Sequence, residues 1–223
     1  MNWKLITMLG LCAGLLSAES DAPKRLNAAA DAFKEVMGTP DKSIPQDLLN
    51  KAQCIVVVPG LKKGAFILGA KYGKGFVSCR KADGVGWSAP GSVRVEGGSV
   101  GFQIGGSETD AFMLVMNQKG MDRLLSTKFT LGGDASVAAG PVGRSTQAET
   151  DAAMTAEILT WSRSRGLFAG VSLSGATLRE DSDWNNELYG RKISNREIVT
   201  TAVAPPKPAD EFLAELNRYS SRK

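Results

Sequence analysis

Glycine placement constrains this chain more than any other feature of its sequence. Two stretches, LGGDASVAAGPVGR (131–144) and SRSRGLFAGVSLSG (162–175), set glycines at fixed points inside runs of small and β-branched residues. Neither stretch has the make-up of a catalytic motif. Glycine inside a strand-forming run marks a tight turn, a bulge or a close approach of backbone. Residues 135–140 are too small and flat to form a well-packed strand by propensity, so they are expected against other backbone, where bulk is not tolerated.

The rest of the chain alternates strand and turn signals. Residues 24–38 read as an amphipathic helix, with Leu26, Ala29, Ala30, Phe33, Val36 and Met37 at three- and four-residue spacing and Gly38 as its stop. Its apolar stripe reads as packed on the sheet. A short helix starts near Ser43, with Pro45 in its first turn. Cys54–Val58 is an apolar run closed by Pro59-Gly60, a strand covered on both faces. Residues 64–70 and 75–81 read as a hairpin turning at Lys71-Tyr72-Gly73-Lys74. Residues 92–105 read as a glycine-broken strand or a strand pair, 111–116 as a strand and 118–126 as a helix. A second hairpin, 154–163 with 167–179, turns at Arg165-Gly166. A helix spans 183–189 after a Ser182 cap. Pro205-Pro206-Lys207-Pro208 reads as a semi-rigid linker into a terminal helix with Phe212, Leu213 and Leu216 on one face. The pattern predicts an α+β fold: a curved, mostly antiparallel sheet or half-barrel with flanking N- and C-terminal helices.

Those two glycine stretches, together with IPQDLLNKAQCIVVVPG (44–60), KGAFILGAKYGKGFV (63–77), GWSAPGSV (86–93) and GGSVGFQIGGSETDAFMLVMN (97–117), resemble the SYLF domain in motif and in order over about residues 24–200. The resemblance implies a non-catalytic lipid-binding protein of the phosphoinositide-headgroup type. It also implies kinship with fungal and animal members that associate with actin patches.

The first twenty residues read as a secretory signal peptide: Lys4, an apolar run from Leu5 to Ala18, then small residues, with cleavage after Ala18 or Ser20. The apolar run is short for a membrane span. A lipoprotein anchored through Cys12 is the rival reading, and Leu11 before that cysteine disfavours it. The expected layout is a SYLF-like domain over 21–204, then the linker and helix of 205–223. The expected location is periplasmic or secreted, peripheral to a membrane. In an oxidising compartment Cys54 and Cys79 can pair, or stay as two buried thiols.

The chain has no histidine, which excludes a Ser-His-Asp or Cys-His triad and histidine-ligated zinc. Glu149, Asp151, Glu180, Asp181 and Asp183 fall in polar, turn-like contexts and read as solvated surface. Ser172 and Ser174 have no histidine to activate them. Gly73-Lys74-Gly75 lacks the spacings of a dinucleotide loop. No cofactor is expected. The net charge of +4 is modest and its basic residues are dispersed, which disfavours nucleic acid.

The binding candidates are therefore cationic. Lys71, Tyr72 and Lys74 are expected to cluster at the hairpin tip, with Lys62 and Lys63 at the strand start and Arg80 and Lys81 at the other strand's end. Lys24 and Arg25 add basic residues at the start of the first helix. The expected ligand is an anionic phospholipid surface, here an envelope lipid such as phosphatidylglycerol or cardiolipin. The alternative is a module that binds another envelope protein, with 205–223 as a docking arm.

Overall fold

The computed structural model describes residues 21–39, 43–65, 68–100, 105–143, 155–164 and 166–220. The leader-like segment, Glu149 and Asp151 lie outside the described residues. In chain order come helix α1 (Asp21–Met37), α2 (Gln46–Lys51), strands β1 (Cys54–Ala65), β2 (Leu68–Cys79), β3 (Gly91–Val100) and β4 (Gly105–Val115), and then α3 (Gln118–Leu124). They are followed by β5 (Lys128–Thr130), β6 (Val137–Ala139), β7 (Ile158–Ser164), β8 (Leu167–Gly170) and β9 (Thr177–Glu180). The chain closes with α4 (Ser182–Tyr189), α5 (Asn195–Thr200), a 3-10 turn (Lys207–Ala209) and α6 (Asp210–Ser220).

The strands form one curled half-barrel in the order β5-β9-β3-β2-β1-β4-β7-β6, with β8 also on β7. All the pairings are antiparallel except β6 with β7. The sheet is buried on both faces, which explains continuous apolar runs such as Cys54–Val58. One face carries Ile55, Val57, Phe76, Phe112 and Trp161 against α1, α4 and α6. The other carries Val56, Val58, Val77, Val93 and Met113 against Leu124, Phe129 and Ile198. The stripe of α1 is buried between the sheet and the C-terminal helix: Leu26, Ala29, Ala30 and Phe33 are fully buried, and Phe33 also meets Tyr219 of α6.

The small-residue stretches behave as close backbone approaches. A Cβ at Gly140 would lie 2.0 Å from the Trp161 ring, and one at Gly170 would lie 2.0 Å from the Gly140 carbonyl oxygen. Residues 137–139 form a three-residue strand beside β7.

Three elements depart from the sequence reading. β1 and β2 pair as far as Ala65 with Gly69, so Lys71–Lys74 lie inside β2 and not at a turn. The 167–179 segment divides: β8 stays on β7, whereas β9 crosses to pair with β3 and β5 near the other edge of the sheet. The cap of α4 is Asp181, whose carboxylate accepts the Trp184 N–H at 3.3 Å.

Candidate functional site

Register brings two of the predicted cations together and separates the others. In β1 the alternation is interrupted between Val57 and Lys62 by an irregularity at Pro59-Gly60, where Gly60 holds φ +60°. The kink is fixed from outside: Arg25 donates to the Pro59 carbonyl at 3.0 Å, and the Gly60 N–H donates to Asp110 at 2.9 Å. Asp110 in turn holds Arg163, which also pairs with Glu35 of α1. Burial and the two carboxylates act on Arg163 in opposite senses, and its pKa is raised. Arg25 is thus committed to the backbone of the bulge. Lys24 is exposed on the same helix turn.

Past the bulge, Lys63 lies directly opposite Lys71, and Lys62 opposite Tyr72. Side chains alternate across a strand, so each pair occupies its own face. The next cross-strand neighbours differ sharply. Lys62 has Glu108 on β4, and Tyr72 has Glu96 on β3. Lys63 has Ser107 and Lys71 has Gly97, so the two ammonium groups have no acid in their row. Burial, and then the Lys71 charge, lowers the pKa of Lys63 below the ordinary lysine value. Like charges directly opposite in a sheet destabilise it. Tyr72 is 48% exposed and projects beside Lys62.

This row carries a stability prediction. Replacing Lys71 with Thr removes the repulsion and adds a β-former, so the fold should gain about 0.5 kcal/mol. A thermal melt should show a small rise in Tm that shrinks in high salt. The pH dependence has a definite sign. The unfolded chain keeps its Lys63 proton to higher pH than the folded chain, so this contribution to stability increases as pH rises towards 10.5.

Lys74 does not join the group. Its ammonium pairs with buried Asp181 at 2.8 Å and sits 4.2 Å above the Trp184 ring, tying β2 to α4. Asp181, expected as solvated surface, and Arg80, expected among the binding cations, are both structural. Asp181 is 1% exposed rather than solvated, and Arg80 is buried at the far end of β2, stacked on Trp87 at 3.8 Å. Partners such as Asp181 for Lys74, or Asp110 for Arg163, lie 53 or more residues apart and leave no local signal. Among the described residues no group of His, Cys, Asp and Glu could hold a metal ion, and no helix is long and apolar enough to cross a membrane. Ser172 and Ser174 share a hydrogen bond of 2.8 Å in the loop after β8.

The family model described as "Ysc84: Las17-binding protein actin regulator" matches residues 96–219, more than half of the chain. The chain belongs to this SYLF (Ysc84) family. An SH3 domain-containing protein of Schizosaccharomyces pombe is 36% identical over 211 residues, covering 93% of this chain and 48% of that protein. LAS seventeen-binding protein 3 of Saccharomyces cerevisiae is 34% identical over 206 residues, covering 90% and 44%. SH3 domain-containing YSC84-like protein 1 of Mus musculus is 33% identical over 184 residues, covering 82% and 54%. The chain spans about half the length of these relatives. Their names describe binding or regulatory proteins.

Proposed function

We propose that this SYLF-family chain binds anionic phospholipid without catalysis, using the Lys63–Lys71 pair as its headgroup contact. One observation carries the reading: two cations held side by side by register, partly buried, with no acid in their row. A phosphate would relieve their repulsion and bring the Lys63 pKa back towards the ordinary lysine value. Lys62 and Tyr72 flank the pair, and Tyr72 has an apolar body with a polar tip suited to a membrane interface. The stripe of α1 is buried in the core, so it offers no apolar face to a membrane and attachment rests on charge. Each Lys near an anionic surface contributes about 1 kcal/mol, which makes such binding weak and salt-sensitive. The Cys54–Cys79 disulfide supports residence in an oxidising compartment, where envelope lipids such as phosphatidylglycerol are the accessible anionic surface.

Co-sedimentation of residues 21–223 with vesicles tests this. Binding is expected to vesicles containing phosphatidylglycerol and not to neutral ones. It should fall with salt and be lost in the Lys63→Glu, Lys71→Glu double variant. Lys74→Glu should instead lower Tm through Asp181. Binding to neither vesicle would sink the lipid reading. A protein partner would then stand as the function, a second reading that the relatives' names favour.

A further inference from the structure

The opposite end of β2 holds a second feature that the charge argument does not use. A groove of about 600 Å³ opens between the 81–89 loop, the 199–205 segment and α6. Its floor is apolar, built from Trp87, Ala89, Val199, Val203 and Leu213. The polar atoms around that floor are already engaged. The Trp87 indole N–H donates to the Ser220 carbonyl at 2.9 Å, and the Ser88 hydroxyl accepts the Cys79 N–H at 3.0 Å. The Thr200 and Thr201 hydroxyls donate to carbonyls of their own helix. The Asn217 amide donates to the Leu213 carbonyl. A ligand inside the groove thus meets apolar surface, and a polar body would lose its water without compensation.

The rim differs. Lys81 is exposed and makes no ion pair among the described residues. Asp83, its acidic neighbour, accepts the Val85 N–H at 2.9 Å. The ammonium and the Asn217 side-chain Oδ1 both approach Gly86, where an added Cβ would lie 3.9 and 3.1 Å from them. A cation at the mouth of an apolar slot matches a tail with a negative head. The volume lies within the range of small-molecule sites.

We propose that this groove binds a single acyl chain, with the anionic head of the amphiphile on Lys81. The site is independent of the Lys63–Lys71 pair, since the two lie at opposite ends of β2. The acyl tail lies against the partly exposed Val203 and Leu213, at the edge of the buried Trp87 ring.

The test is calorimetric titration of the purified full chain with sodium dodecanoate and with dodecanol, each below its micelle or solubility limit. Saturable binding of one molecule per chain is expected for both. Lys81→Glu, an exposed position that leaves the fold intact, should weaken dodecanoate about tenfold by reversing a contact-range charge and leave dodecanol unchanged. Val203→Gln should weaken both, with circular dichroism confirming the fold. No saturable binding by the unaltered chain, or binding that neither substitution changes, overturns the proposal. Failure of the vesicle assay leaves it untouched, because Lys63→Glu, Lys71→Glu protein should bind dodecanoate normally.

Discussion

Deleting residues 205–223 is expected to unfold the domain or bring it close to unfolding, not merely to remove an arm. Phe212 and Leu216 of α6 are fully buried, and Phe212 lies 6.5 Å from Phe76 of the sheet, within the core that α1 shares. Tyr219 meets Phe33 of α1 edge-on at 5.9 Å. The last turn of α6 also satisfies a buried cation: Arg80 donates to the Ser220 carbonyl and hydroxyl, and also to the Leu49 carbonyl at 3.0 Å. Stripping partners from a buried charge costs about 3–5 kcal/mol. Phe212→Ala alone should cost about 4 kcal/mol. For a domain of this size that lowers Tm by about 12 °C. Whole-domain stability is about 5–15 kcal/mol, so the truncation exceeds or nearly exhausts it. Thermal melts of Phe212→Ala and of the truncated chain check this. An unchanged Tm on truncation would return 205–223 to the role of a docking arm.

What the sequence revealed follows the range of the forces involved. The α1 stripe and the Phe212–Leu216 face were legible because period 3.6 is written locally. The hairpin at 71–74 was misread for an equally physical reason. Gly73 and Gly75 look like turn residues, yet they sit mid-strand because the β1 bulge presses on them: a Cβ at Gly75 would lie 2.1 Å from the Val57 carbonyl oxygen, and one at Gly73 would lie 2.8 Å from Leu61. A glycine demanded by a neighbouring strand is indistinguishable in one dimension from a glycine demanded by a turn. The candidate site suffered the same way. Lys63 and Lys71 were both named, but their juxtaposition depends on the β1–β2 register, and the loss of Lys74 depends on Asp181, 107 positions away. The helix at Asn195–Thr200 is too short to show a period.

The second large effect belongs to the cysteines. Cys54 and Cys79 are direct cross-strand partners at one end of the β1–β2 hairpin, fully buried and joined as a disulfide across a separation of 25 residues. A cross-link of that span restricts the unfolded chain far more than the folded one, where register already holds the two residues together. The chain-entropy estimate is about 3.5 kcal/mol for such a loop. Replacing both cysteines with Ala should therefore lower Tm by about 10 °C at this domain size. Reduction should lag behind added thiol, because neither sulfur is accessible until the hairpin opens. The control is Lys63→Glu, Lys71→Glu protein, which carries its change at the other end of the same hairpin and should lose vesicle binding with its disulfide and Tm preserved. If the cysteine-free chain melts with the parent, the unfolded chain is already compact enough to close this loop without the bond. The disulfide would then contribute no net stability to the fold.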